Sequence, residues 1–386
     1  IHPGADEYCD EIDSDCDGST DDNDALDQET WYADSDGDGY GDATSSSESC
    51  EEPSGYTEDT TDCDDTDASI HPFASETPRD GVDNNCDGQD GCQDLNCDGH
   101  NDLVFAEHYS GSSYSTTSYI YPYDTSVGGY TDGNRYGLLT TGPLRSAAED
   151  FDQDGYIDLL FTGYDGSSNT ESTLHWGSAT GYSTSNTTSL GISGGHALGL
   201  GDINGDGHVD VVIGVYYNGS YSADSMVFYG TSTGPDGSNY DEMSSAGVVE
   251  LAVEDLNGDG YDDVVLCSYY NGSSHTTESS VHYGSASGLS GNTDTLSTYG
   301  CYDLEVEDFN NDGYLDIAIA NYPTTTSYLY WGTASGYSSS YRDSFTTAYS
   351  GGVESADLDG DGYTDLVFGG YAGNTYVYWN SSLGFS

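Results

Sequence analysis

Seven nine-residue segments of this chain read Asp-x-Asp/Asn-x-Asp-Gly-x-x-Asp, a spacing that brings oxygen side chains at positions 1, 3, 5 and 9 around one point. The candidate ligands are Asp34, Asp36, Asp38 and Asp42; Asp94, Asn96, Asp98 and Asp102; Asp150, Asp152, Asp154 and Asp158; Asp202, Asn204, Asp206 and Asp210; Asp255, Asn257, Asp259 and Asp263; Asp308, Asn310, Asp312 and Asp316; and Asp357, Asp359, Asp361 and Asp365. Hard oxygen donors at this spacing, with glycine at position 6 for the sharp turn, suit Ca²⁺. About seven ions are therefore expected. Like charges about 4 Å apart repel by roughly 1 kcal/mol in bulk water and about 4 kcal/mol near a protein surface, so each loop opposes folding until a cation enters. An EF-hand is excluded, because no amphipathic helix flanks any loop and the ligand at position 12 is replaced by aspartate at position 9. A solvated acidic turn would not repeat one ligand spacing this many times.

Six of the loops recur in phase, starting at Asp94, Asp150, Asp202, Asp255, Asp308 and Asp357 in steps of 56, 52, 53, 53 and 49 residues. Such a period marks an array of supersecondary units. Each loop runs into an apolar strand: Leu103–Phe105, Leu159–Phe161, Val211–Ile213, Val264–Leu266, Ile317–Ile319 and Leu366–Phe368. A second strand follows and ends in aromatic-Gly, as in Trp176-Gly177, Tyr229-Gly230, Tyr283-Gly284 and Trp331-Gly332; the last copy has Trp379-Asn380. A third strand enters the next loop (Ala197–Leu200, Leu251–Val253, Leu304–Val306, Val353–Ala356), and a fourth, polar one is expected in stretches such as Ser183–Leu190. Four short antiparallel strands per period describe an all-β propeller of six blades, with seven as the alternative. Only five entering and five outer strands are found, because Asp83–Gln93 is polar and the chain stops at Leu383-Gly-Phe385. The aromatic stripe is read as packing between blades.

Residues 1–93 form a separate region with almost no aliphatic core, so metal and disulfides must order it. Ile1-His2-Pro3 followed by Cys9–Gly18 is repeated as Ile70-His71-Pro72 followed by Asp80–Gly88. Residue 1 thus falls within a motif, and the chain is expected to be a proteolytic product or one stretch of a longer tandem polypeptide. Nine cysteines indicate an oxidising exterior. Bridges are expected between Cys9 and Cys16 and between Cys50 and Cys63, the connectivity of Cys86, Cys92 and Cys97 stays open, and one thiol is left over.

The net charge of −66, with no lysine and four arginines, excludes nucleic acid and electrostatic docking on anionic lipid. No run approaches the length of a membrane-spanning helix. No nucleophile elbow, phosphate loop or His-x-x-x-His is present, so an enzyme is not expected. His2 and His71 repeat with their motif, either as copper ligands or as turn residues, while His175 and His282 read as partly exposed strand residues. Asn186, Asn218, Asn271 and Asn380 stand in Asn-x-Ser/Thr sequons that could carry glycans.

Residues 94–386 resemble the FG-GAP/VCBS repeats of integrin α-subunit propellers and bacterial secreted proteins, most specifically in the Asp255–Leu266 signature. Residues 1–93 resemble the MopE-type Cys-Asp-Gly metal-binding motif in Trp31–Asp42, Cys50–Asp67 and Ile70–Gly88, although Arg79 stands where that family places a cysteine about seven residues before Cys86. The resemblance implies a calcium-stabilised propeller used in adhesion, ligand display or surface assembly. The expected function is a non-catalytic structural or adhesive protein of an extracellular surface, layer or fibre. The expected partners are copies of itself in head-to-tail assembly, or surface glycans and proteins. The alternative is a carbohydrate-binding propeller using Trp176, Trp331 and Trp379.

Overall fold

The computed structural model describes every residue except 4, 17, 21–24, 75, 76, 78–81, 87, 89, 90, 93, 167–169, 372 and 386. Among the described residues there are strands and turns and no helix. The chain divides into two compact units. One comprises residues 1–102, 122–130 and 154–157; the other comprises 103–121, 131–153 and 158–386.

The larger unit is a succession of six antiparallel sheets, each built from consecutive strands. The first contains β4 (Leu103–Phe105), β5 (Ser115–Tyr121) and β8 (Tyr136–Thr141). Four complete sheets follow: β9 (Ser146–Glu149), β10 (Asp158–Phe161), β11 (Glu171–His175) and β12 (Thr187–Ser193); then β13 (Gly195–Gly201), β14 (Asp210–Val215), β15 (Ser225–Phe228) and β16 (Tyr240–Met243). The next two hold β17 (Val248–Glu254), β18 (Asp263–Ser268), β19 (Thr276–His282) and β20 (Thr293–Tyr299), and β21 (Cys301–Glu307), β22 (Asp316–Asn321), β23 (Thr326–Tyr330) and β24 (Arg342–Thr346). The last has β25 (Ser350–Ala356), β26 (Asp365–Gly370) and β27 (Thr375–Tyr378).

Each of the six in-phase acidic loops thus feeds one strand (β4, β10, β14, β18, β22, β26), and the strand predicted to enter a loop is missing only from the first sheet among the described residues. The outer strand predicted over Ser183–Leu190 lies further on, at Thr187–Ser193, because it pairs with β11 through Thr187↔His175 and Ser189↔Thr173.

Burial explains why the strands after the loops are unbroken apolar runs. β13 packs on β17, β17 on β21 and β21 on β25, so the sheets between have neighbours on both faces. Val211, Val212, Ile213, Val264, Val265, Leu266, Ile317 and Ile319 are fully buried. Each such side chain stabilises the fold by about 1.5–3 kcal/mol relative to exposure. Cys267 of β18 and Cys301 of β21 add a covalent tie between consecutive sheets.

The smaller unit contains β1 (Glu29–Ala33), β2 (Asp42–Ser49) and β3 (Tyr56–Thr57) in the order β2-β1-β3, and the two-stranded β6 (Tyr123–Asp124) and β7 (Gly129–Tyr130). Its disulfides correct the expected pairing: Cys9 joins Cys50 and Cys63 joins Cys86, while Cys92 joins Cys97 and Cys16 is free and exposed. Hairpin register, not local spacing, decides the first bridge. Cys9 donates its N–H to Asp27 Oδ1 (2.7 Å) just before β1, and β1 begins by pairing Glu29 with Ser49, the neighbour of Cys50. For the second, the His71 N–H bonds the Asn84 carbonyl (3.0 Å), closing the turn that carries Cys86 back to Cys63. Arg79, which departs from the family pattern, lies outside the described residues.

Candidate metal centres in the acidic loops

The first carboxylate of a loop organises the turn. Asp202 accepts the N–H groups of Asp206 (3.0 Å) and Gly207 (2.9 Å). The same pair of bonds recurs from Asp94 to Asp98 and Gly99, from Asp255 to Asp259 and Gly260, from Asp308 to Asp312 and Gly313, and from Asp357 to Asp361 and Gly362. Glycine at position 6 makes this possible, with φ of 82° at Gly207 and 89° at Gly260, a region side chains disfavour. Position 3 joins the same turn, since Asn96, Asn204, Asn310 and Asp359 accept the N–H of the residue at position 5. Position 5 caps the exit: Asp98, Asp154, Asp206, Asp259, Asp312 and Asp361 each accept the N–H two residues on. Asn257 occupies position 3 of its turn.

The aspartate at position 9 is different in kind. Asp158, Asp210, Asp263, Asp316 and Asp365 are at most 1 % exposed. One oxygen of each accepts the N–H of loop position 2, at 3.0, 2.9, 3.2, 3.1 and 3.1 Å for Phe151, Ile203, Leu256, Phe309 and Leu358. The other accepts the N–H of the residue after the aromatic strand, at 2.7, 2.7, 2.8, 2.8 and 2.7 Å for Gly177, Gly230, Gly284, Gly332 and Asn380. The aromatic-Gly signature is thereby explained: a Cβ at Gly284 would stand 2.3 Å from the Asp262 carbonyl, too close for any side chain. Asn380 solves the last copy by donating Nδ2 to the Phe309 and Thr364 carbonyls (2.7 and 3.2 Å). That amide is buried and engaged, so a glycan at the Asn380 sequon is incompatible with this fold.

Burial first, then the neighbouring loop carboxylates, pushes Asp158, Asp210, Asp263 and Asp316 up to about 7, opposed by their two backbone bonds. Carboxylate oxygens of Asp150, Asp152 and Asp158 lie within 4.8 Å of one another. A divalent cation at such a point would hold these groups ionised.

The two remaining loops deviate. Asp102 accepts the Tyr123 N–H (2.9 Å) with Oδ1, its Oδ2 is buried without a partner, and burial raises its pKa to about 6. In the Asp34 loop, Asp42 is engaged elsewhere, accepting the Thr44 N–H and hydroxyl (both 2.8 Å). Asp62 takes the place expected for it: its carboxylate lies within 4.8 Å of Asp36 and Asp38, and Asp65 stands likewise to Asp34 and Asp36. Buried, unpartnered Oδ2 atoms of Asp36, Asp38 and Asp62 face this cluster's shortage of positive charge. Sequence spacing missed Asp62 and Asp65 because tertiary pairing delivers them, through the Asp62 N–H on the Gly41 carbonyl (3.3 Å) and the Ser35 N–H on Asp65 (2.5 Å).

One feature at the far end of the same strands was also missed. The residue six beyond position 9 is His108, Tyr164, Tyr216, Tyr269, Tyr322 or Tyr371, and these rings form a ladder with successive centroid distances of 6.0, 6.2, 6.5, 6.4 and 5.3 Å. The signal was readable as a fixed offset from each loop. Trp176 and Trp331, candidates for sugar binding, instead pack with the apolar clusters between sheets, and only Trp379 is exposed. His175 is buried, not half-exposed as expected, and burial lowers its pKa; burial takes His282 to about 4. His2 and His71 each bond the following proline carbonyl through Nδ1, the same turn twice.

Repeated sheets joined by carboxylate loops of one spacing define a class of repeat protein, and comparison with known families agrees. The model described as FG-GAP-like repeat matches residues 150–213, 255–319 and 308–368, and that described as FG-GAP repeat matches 194–234. The model named "Putative metal-binding motif" matches residues 1–22 and 62–90. The chain is an FG-GAP-repeat protein carrying this motif at its N-terminal end. No curated protein matches it. The repeats, the motif and four disulfides fit an extracellular repeat protein, and no helix among the described residues is long and apolar enough to cross a membrane.

Proposed function

We propose that this protein is a calcium-stabilised, non-catalytic structural or adhesive component of an extracellular surface, layer or fibre, and that it associates with copies of itself. The carrying observation is that the position-9 aspartate makes the same two backbone bonds in five successive sheets. A catalytic centre is singular; an arrangement repeated in five successive sheets is a scaffold device, each copy fixing the junction of loop and strand.

Self-association rests on the first sheet. Leu103 and Phe105 of β4 are 37 % and 54 % exposed, whereas their equivalents Leu159 and Phe161 of β10 are 0 % and 3 %. The strand that would cover β4 is missing from the described residues, and an open edge with apolar side chains invites pairing with another chain. Calcium would lower the repulsion between two chains of charge −66. Light scattering of the intact chain in millimolar calcium should give a mass above the monomer, and Phe105→Ser should return it to the monomer. A strictly monomeric chain at high concentration would refute self-association.

A further inference from the structure

Two sheets carry a histidine where the other four carry an aromatic residue. His175 stands opposite Leu159 and His282 opposite Val264, whereas the same place holds Tyr121, Phe228, Tyr330 and Tyr378. Beside each histidine lies a cavity, about 340 Å³ between β8 and the strands β10 to β12, and about 620 Å³ over β19 and β20. Alternate residues of a strand share a face, and so do residues directly opposite across a pair. Glu171, Thr173 and His175 therefore face the same way as Thr187 and Ser189 of β12, and Glu278, Ser280 and His282 as Thr293 and Thr295 of β20. Both cavities are thus lined by one pattern, Glu-x-Ser/Thr-x-His with hydroxyls opposite. Eight of the twelve residues lining the first and ten of the fourteen lining the second carry a hydroxyl. Ser189 donates its hydroxyl to Glu171, and His282 Nε2 lies 3.0 Å from Ser280 Oγ. His175 is 3 % exposed, and its Nδ1 is buried with no hydrogen-bond partner.

We propose that these two cavities each bind a neutral saccharide unit, held by the lining hydroxyls and by His175 or His282. Both volumes fall within the roughly 300–1,000 Å³ of small-molecule sites. A net charge of −66 without a single lysine disfavours an anion. An apolar ligand would strip water from many hydroxyls and return no hydrogen bond. A polyol fits, because each of its hydroxyls donates and accepts, as serine and threonine do, and a neutral imidazole offers one nitrogen of each kind. Burial keeps both imidazoles neutral, lowering His175 and taking His282 to about 4. At the equivalent place in β15 and β23, Phe228 and Tyr330 are buried side chains at most 1 % exposed, and Arg342 covers the neighbouring Tyr328 at 3.7 Å. The inference rests on the adhesive half of the proposed function, for which it supplies a ligand class, and it uses none of the tryptophans.

Titration calorimetry of the intact chain in millimolar calcium tests this, with glucose, galactose, mannose and N-acetylglucosamine as probes and glucosamine as a cationic control. At least one neutral sugar is expected to bind two sites per chain with a dissociation constant of about 1 mM or tighter. His175→Phe and His282→Phe introduce an aromatic side chain such as β15 already carries there, and each should remove one site; the double variant should bind none. Thr173→Val and Ser280→Val, which delete one hydroxyl at nearly constant volume, should weaken their own cavity by about 2–10-fold and serve if a histidine variant fails to fold. The inference is overturned if no neutral sugar binds the parent at this affinity, if only glucosamine does, or if binding survives in the double variant and is lost in Trp379→Ala. A parent that binds no sugar but keeps its calcium-dependent melting and its mass above the monomer loses this inference alone, and the proposed function stands.

Discussion

Stripping calcium from the intact chain is expected to lower its melting temperature by at least about 10 °C. A ligand present at 100 times its dissociation constant stabilises by about 2.7 kcal/mol per site, and the repeat loops multiply that term. The metal-free protein should also show an unusual pH response. Asp158, Asp210, Asp263 and Asp316 are raised to about 7 in the folded chain, above the ordinary value of about 3.9 expected when unfolded. Protonation therefore favours the folded state: this stabilisation is complete below about 4 and is lost as pH rises through about 7. Burial lowers His175, His196 and His282, and those groups act in the opposite sense, their contribution being lost as pH falls below the ordinary histidine value of about 6.5. The clean window is thus pH 8 to 6.5. Calorimetry across it should show the metal-stripped protein melting higher at 6.5 than at 8, whereas the calcium-loaded protein gains nothing, because protons then compete with the ion. A melting temperature unaffected by exhaustive metal removal would end the calcium reading.

How much could be read beforehand follows the range of the interactions. The loops, the apolar strands after them and the aromatic-Gly stops are local patterns, set by turn geometry and by burial on both faces, and they stand where the spacing puts them. Asp62, Asp65 and the Cys9–Cys50 bridge depend on the register of β1 with β2 and on the return of the chain after β3, which no local spacing encodes. The tyrosine ladder was accessible in principle, since Tyr164, Tyr216, Tyr269, Tyr322 and Tyr371 keep one offset from their loops. It was hidden by the abundance of tyrosine, 36 residues in all, which makes any single one uninformative. Loop position 2 was overlooked for a similar reason. Phe151, Ile203, Leu256 and Phe309 look like ordinary apolar residues, yet each buries its side chain and gives its N–H to position 9.

That double duty at position 9 yields the sharpest expectation for a single residue. Asp263 is fully buried and accepts the Leu256 and Gly284 N–H groups at 3.2 and 2.8 Å. Asp263→Ala leaves two buried donors without an acceptor, each costing about 1–3 kcal/mol, so a loss of roughly 2–6 kcal/mol is expected whether or not calcium is present. Asp263→Asn separates the two roles. It keeps one acceptor, sets an NH₂ against the other N–H and removes the charge that burial and Asp255 and Asp259 disfavour. In metal-free protein at pH 8 those effects oppose each other, and the cost should be small. With calcium bound, the same substitution also removes an ionised ligand, and the cost should rise by about 1–3 kcal/mol, the worth of a charge-assisted contact over a neutral one. Urea titrations of both variants, with and without calcium, measure the difference. An Asp263→Asn cost independent of calcium would make Asp263 a backbone tie alone, and the ion would then have to be held by positions 1, 3 and 5.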